Sequence, residues 1–260
     1  MRKFLLALLI FIGVERFCYF QTDGFILSKM VLQNTPPPPG PSETLTFIGA
    51  GKQFYVFETS DHQHVIKFMK FSRRRPLPWL EKLPLFRNSR YLAQRAKRLY
   101  DIEYSSKLAL QHLSSEAALA SYQLPQNLIL IDKLNIAHSV DTAQTKYIVQ
   151  KKASPFTTYF NQNPPLAQTL ISSYIKTVAS QCKKGICNLD LIDRNYGVVD
   201  NQIILMDIGS LLANPKLHTQ ADIQQEIFFE LLPLRQWLQN HHAHHIFYFD
   251  QALREIISSP

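Results

Sequence analysis

Asp190 stands five residues before Asn195, and an apolar run then leads to Asp207, which opens an Asp-Ile-Gly tripeptide ending at Gly209. The residues between read as two short strands, Tyr196-Gly197-Val198-Val199 and Gln202-Ile203-Ile204-Leu205-Met206, joined by a tight Asp200-Asn201 turn. A hairpin carries the chain out and back, so Asn195 and Asp207 are expected at the same end of it. There a carboxamide and a carboxylate oxygen are close enough to share a divalent cation. Two aspartates and an asparagine in this layout suit phosphoryl transfer, where one carboxylate handles a proton and the other a metal.

The segment before this motif predicts an amphipathic helix. Leu166, Leu170, Ile171, Tyr174, Ile175, Val178, Ala179 and Cys182 recur at three- and four-residue spacing, with Pro165 near the start and Gly185 just beyond the end. Residues 186 to 195 are then expected as a loop. Only 53 residues follow Asp207, room for two to three helices. One of these, Ile223 to Leu238, is expected to pack its apolar face into the core.

Nearer the amino terminus the pattern is that of short strands. Leu45 to Ile48 leads into Gly49-Ala50-Gly51-Lys52-Gln53, Phe54 to Phe57 alternates, and His64 to Phe68 places Lys67 between apolar neighbours. Glycines let backbone amides approach phosphate oxygens and a strand lysine neutralises them; a plain surface turn with an edge lysine is the competing reading. From about Asn88 to Leu119 helix formers dominate, and Glu103 and Glu116 are the carboxylates available to pair with Lys67. Glu103 is preferred, because Leu99, Tyr100, Ile102 and Leu108 put it at the edge of an inward face. Strands at Asn127 to Ile131 and Lys146 to Gln150 bring the expected total in this part to five.

Four consecutive prolines, Pro36 to Pro39, forbid helix and central strand, so residues 35–44 read as a linker, with the catalytic fold expected after it. Residues 1–34 carry Arg2 and Lys3 ahead of an uncharged apolar stretch, Phe4 to Val14, of signal-core length and short for a bilayer span. A membrane-associated or exported segment and a packed N-terminal helix both remain open. The formal charge of +8 suits an anionic partner, but no groove-reading helix or aromatic platform speaks for nucleic acid. The Arg73 to Arg75 cluster reads as a solvated loop, and Asp193 with Arg194 as a local loop-stabilising pair. His241, His242, His244 and His245 include pairs at zinc-binding spacing, but no glutamate follows in a zincin arrangement, and an interhelix segment is the simpler reading. Three cysteines, Cys18, Cys182 and Cys187, are too few for a disulfide framework.

Taken in order, Gly49-x-Gly51 with Val56, Lys67 in Val-Ile-Lys, a helix carboxylate, Asp190 with Asn195, and Asp207-x-Gly209 resemble the protein-kinase-like superfamily over roughly residues 45 to 210. In its compactness the chain looks like small atypical bacterial members such as lipopolysaccharide-core sugar kinases. The resemblance implies an α+β, bilobal protein-kinase-like fold. A five-stranded N-lobe sheet with a helix would span residues 45–150, and a reduced, mainly helical C-lobe residues 151–260. It implies ATP and magnesium as cofactors and a hydroxyl-bearing acceptor. Asp190 would accept or orient the acceptor proton, Asn195 and Asp207 would hold magnesium, and Lys67, supported by Glu103 or Glu116, would contact the phosphates beneath the Gly49 to Gly51 loop. The departures are Asn188-Leu189 where His-Arg is usual, Phe54 for the third glycine and Ile208 for the phenylalanine of the tripeptide. With no Ala-Pro-Glu signature, a complete peptide groove is not expected. A pseudokinase-type module, binding nucleotide or a protein at a membrane, is the alternative.

Overall fold

The computed structural model describes residues 2–33, 35–71, 90–190 and 195–258, with side chains from residue 10 onward except at 15, 90–96 and 98. Arg73 to Arg75, Asp193 and Arg194 lie outside the described residues. The chain divides into two compact units, Met1–Leu99 with Ser121–Gln150, and Tyr100–Ala120 with Lys151–Pro260. The architecture is α+β, a six-stranded sheet in the first unit and a mainly helical second unit.

The first unit opens with α1 (Arg2–Gln21), followed by β1 (Ser42–Ala50), β2 (Phe54–Thr59) and β3 (His64–Met69). A long helix, α2 (Arg90–His112), runs on into the second unit. The sheet is completed by β4 (Asn127–Ile131), β5 (Ala137–Asp141) and β6 (Tyr147–Lys151), in the order β5-β4-β1-β2-β3-β6. Strands β1, β2 and β3 form an antiparallel meander, and β4 lies parallel to β1 with Thr44 opposite Ile129. The turn after β2 is set by Asp61, whose Oδ1 accepts from Thr59 Oγ1 at 2.5 Å and from the Gln63 amide at 2.9 Å.

Six strands replace the expected five. The additional one, β5, has the sequence Ala-His-Ser-Val-Asp, with too little apolar alternation to be read as a strand. It forms because Asp132 fixes the preceding turn. Its Oδ1 accepts from the amides of Leu134 and Ile136 at 2.8 and 2.9 Å, while Oδ2 meets His138 Nε2 at 2.8 Å.

The core of this unit also starts earlier than the proline run suggests. Phe25 is buried, its ring 5.1 to 5.6 Å from those of Phe47, Tyr55, Phe57 and His138. The Tyr55 hydroxyl donates to the Gly24 carbonyl at 2.8 Å and accepts from the Ile26 amide at 3.1 Å. Met30 is fully buried, and the Phe71 amide donates to Lys29 O at 2.6 Å. Residues 24–31 are thus part of the sheet's packing. By contrast, α1 leaves Ile10, Phe11, Val14, Phe17 and Phe20 exposed, so its described side chains do not form a packed helix. Among the described residues no helix is long and apolar enough to cross a membrane.

In the second unit, β7 (Ser154–Pro155) and α3 (Phe156–Gln162) precede α4 (Ala167–Lys183), whose apolar stripe is buried as its spacing predicts. Gly185 ends α4 at φ +73°, a left-handed conformation that favours glycine. The expected loop at 186–195 begins as a strand, β8 (Ile186–Asn188). Next come β9 (Tyr196–Val199) and β10 (Gln202–Leu205), turned through Asp200 and Asn201 at positive φ, and then β11 (Leu211–Ala213), which pairs with β8. Three residues beside a motif carry no periodicity, which is why β8 escapes a sequence reading.

Two helices close the chain, α5 (Gln220–His241) and α6 (Ile246–Ser258). A capping box of Thr219 and Asp222 starts α5. The histidines form the turn between the two helices. His242 packs at a tilt against Phe160 and Trp237, with centroids 5.0 Å away in each case, and burial holds His242 and His245 below the ordinary imidazole range. Among the described residues no group of three or more His, Cys, Asp or Glu is placed to hold a metal. All three cysteines are free thiols.

Phe57 is fully buried where the aromatic rings of the first unit meet. Phe57→Ala is expected to cost about 3–5 kcal/mol, read as an earlier urea midpoint.

Candidate functional site

Asp190, Asn195 and Asp207 lie together in the second unit, held by hydrogen bonds that backbone groups supply. Asn195 Nδ2 donates to the Asp190 carbonyl at 2.7 Å. The amides of Met206 and Asp207 donate to Asn195 O at 2.7 and 3.3 Å, closing the open end of the β9–β10 hairpin. Asp207 Oδ1 accepts from the Gly209 amide at 3.0 Å, an Asx turn that bends the chain at the tripeptide. With Nδ2 of Asn195 and Oδ1 of Asp207 committed, Asn195 Oδ1 and Asp207 Oδ2 are left as a carboxamide and a carboxylate oxygen. This is a hard-oxygen donor pair of the kind that holds magnesium together with phosphate oxygens.

Asn188 organises the same region, although the kinase-like resemblance assigns it no role. Its Oδ1 accepts from the Asp190 amide at 3.1 Å and from Ser210 Oγ at 2.6 Å, and the Leu189 amide donates to Ser210 O at 3.0 Å. One buried carboxamide thus ties the Asp190 segment to the residue that follows Gly209. Its own amide donates to Glu230 Oε1 of α5 at 2.7 Å. Helix α2 reaches the tripeptide through Ser105, whose hydroxyl donates to the Ile208 carbonyl and accepts from the Leu211 amide at 2.7 Å. The backbone on either side of Gly209 is therefore fixed by a residue distant in sequence.

Glu230 and Ser105 left one sequence signal: each is a polar residue on an apolar face. Glu230 falls in register with Ile227, Leu231, Leu234 and Leu238, and Ser105 with Ile102 and Ala109, and all of them are buried. Glu116, the second candidate partner of Lys67, is taken within its own unit. It is buried among Lys184, Ser180 Oγ at 2.6 Å and Ser115 Oγ at 2.7 Å. Glu103 is half-buried on α2.

The first unit carries the remaining candidates. Lys67 is half-buried on β3, directly opposite Val56, and Val56 in turn faces Gly49 across the β1–β2 pair. A bulge between Phe47 and Gly49 shifts the register there. The Gly51 amide donates to Phe54 O at 3.0 Å, and Gly51 O accepts from Lys70 Nζ at 2.6 Å. A Cβ added at Gly49 or Gly51 would meet nothing within 4 Å, and neither sits at positive φ. Nothing in the described chain requires glycine at either position.

No protein-family model matches the chain, and none of the curated proteins does. Solved structures that align with it include one of WbdD, at TM-score 0.40 and 13% identity over 80% of this chain and 44% of that one. A second, of "the bifunctional kinase-methyltransferase WbdD", aligns at TM-score 0.36 and 15% identity over 80% of this chain and 43% of that one. A divergent kinase of Toxoplasma lacking the glycine-rich loop aligns at TM-score 0.36 and 14% identity, over 62% of this chain and 57% of that one. The chain spans less than half the length of the WbdD chains. These likenesses are distant. The fold's own elements follow the order expected from the sequence, a glycine-bearing hairpin, a strand lysine, a helix, and a hairpin between Asn195 and Asp207.

Burial pushes the Glu230 carboxyl up to about 8, against the Asn188 amide and the Gln181 carboxamide, which favour its charged form. Gln181 Oε1 is buried without a hydrogen-bond partner among the described residues. Because the folded carboxyl holds its proton more tightly than the unfolded one, its contribution to stability is complete below about 4.5 and is lost as pH rises toward about 8. Urea titrations between pH 5 and 8 are expected to show Glu230→Gln gaining stability relative to the parent at each step upward.

Proposed function

We propose that the protein is an ATP- and magnesium-dependent phosphotransferase acting on a hydroxyl of a sugar, lipid or protein. The observation that carries this reading is the tie of Asp190, Asn195 and Asp207 at one end of the β9–β10 hairpin. Asp190 has its amide and carbonyl both anchored, and in this reading its side chain would accept the hydroxyl proton. Asn195 Oδ1 and Asp207 Oδ2 would hold magnesium, which when bound neutralises phosphate charge. In the first unit, Lys67 would meet nucleotide phosphates, and the glycines at 49 and 51 leave the backbone open to them. Glu116 is committed to Lys184 within the second unit.

Purified protein incubated with labelled ATP and candidate acceptors is expected to transfer phosphate. Asp190→Ala and Asp207→Ala should each reduce turnover by about 10²- to 10⁴-fold. Turnover that survives both substitutions would defeat the proposal. ATP with magnesium should raise the melting temperature of the parent, and Gly51→Val should abolish that rise while the unliganded melting temperature stays unchanged.

The exposed apolar side chains of α1 favour a second element of function, attachment to a membrane through residues 4–14 and their continuation. This would suit a lipid-linked acceptor, and equally a pseudokinase-type binding module at a membrane. Sedimentation with phosphatidylglycerol vesicles is expected for the full chain and should be lost on removal of residues 2–21.

A further inference from the structure

Helix α4 presents a second face, away from its buried stripe, that bounds a groove of about 600 Å³ lying wholly within the second unit. None of Asp190, Asn195 and Asp207 lines it. Solvated helix faces usually carry long charged side chains, whereas this one carries Gln168, Thr169, Ser172, Ser173 and Ser180, with Lys176 the one long charged side chain among them. Short hydroxyl side chains leave the helix surface recessed. The β9–β10 turn and Tyr248 of α6 form the other walls, and Ile203 is the one aliphatic residue in the lining. An apolar ligand or an amphipathic helix would find little surface to bury against.

The groove's polar groups are fixed before any ligand arrives. Ser172 Oγ and the Tyr248 hydroxyl share a hydrogen bond of 2.6 Å, and Ser173 Oγ accepts from the Ile203 amide at 3.0 Å. At one end the Glu116 carboxylate is held by Ser115, Ser180 and Lys184. Burial works against its charge, but these hydrogen bonds outweigh that and hold the carboxyl down at about 2, so it stays ionised. Sharing Lys176 and Ser180, the groove continues into a hollow of about 380 Å³ that Lys183 and Lys184 also line. Lys176 and Lys183 are exposed.

Hydroxyls and carboxamides both donate and accept, which is what the neighbouring hydroxyls of a sugar ring demand, and an aromatic wall suits the ring's less polar face. The lysines at one end add a preference for negative charge. We propose that this groove binds an acidic saccharide, its hydroxyls along the Thr169 to Ser172 face and a carboxylate or phosphate at Lys176 and Lys183. The site stands apart from the phosphotransfer residues and holds whether or not the protein is a kinase.

Calorimetric titration of the full chain with hexagalacturonate, maltohexaose and inorganic phosphate tests it. Hexagalacturonate is expected to bind, at least tenfold more tightly than maltohexaose or phosphate. Thr169→Trp, which fills the groove, and Lys176→Glu, which reverses its charge, should each weaken binding at least tenfold; both positions are exposed, and unchanged melting curves would show the fold intact. Asp207→Ala should bind as the parent does. The proposal is overturned by any of three results: no binding of hexagalacturonate, binding that both variants leave unchanged, or equal affinity for maltohexaose or phosphate.

Discussion

Asn188 is held from three directions, and the candidate site depends on it. Its amide is fixed by Glu230 of α5, and its carboxamide oxygen joins the Asp190 amide to the Ser210 hydroxyl. A buried backbone group left without a partner costs about 1–3 kcal/mol, so each of these bonds removes an alternative path for the chain between α4 and the tripeptide. Ser105 does the same on the other side of Gly209. The consequence is a pair of aspartates whose backbone surroundings are tied down by side chains from α2, β8 and α5.

Asn188 is also one of the positions at which the chain departs from the pattern it resembles. A histidine is usual at position 188, and an asparagine there offers a shorter side chain with one acceptor and two donor positions. Here the acceptor serves two donors at once, which an imidazole nitrogen with its single lone pair does less well. Buried Glu230 then accepts from the Asn188 amide at the end of β8. Cys187 next to it is a poor nucleophile, since burial pushes its thiol up to about 11.

In the first unit the constraint is different. Each strand of the six-stranded sheet buries side chains, and the segment before the proline run covers part of the sheet, with Phe25 among four rings and Tyr55 bonded to the Gly24 carbonyl and the Ile26 amide. The prolines behave as a spacer between that plug and β1. Exposed apolar side chains along α1 belong to neither task.

Periodicity and turn chemistry were enough to read α4, the β9–β10 hairpin, the β1–β2–β3 meander and the helical end of the chain. Each is set by local patterns, such as Gly185 at a helix end or Asp200-Asn201 at a tight turn, that act over a few residues. The collinear order of Gly49, Lys67, Asp190, Asn195 and Asp207 carried the kinase-like resemblance for the same reason. What the sequence left unread rests on contacts far apart in the chain. β5 needs the Asp132 turn and a neighbour to pair with, β8 needs β11, and Glu116 is claimed by Lys184, 68 residues away. Ser105 and Glu230 are polar residues within apolar stripes, and the backbone groups they satisfy lie far away in the chain. Short-range sterics and hydrophobic spacing are written in the sequence; only the tertiary structure decides which buried polar group meets which partner, because that pairing exists only once distant segments are brought together.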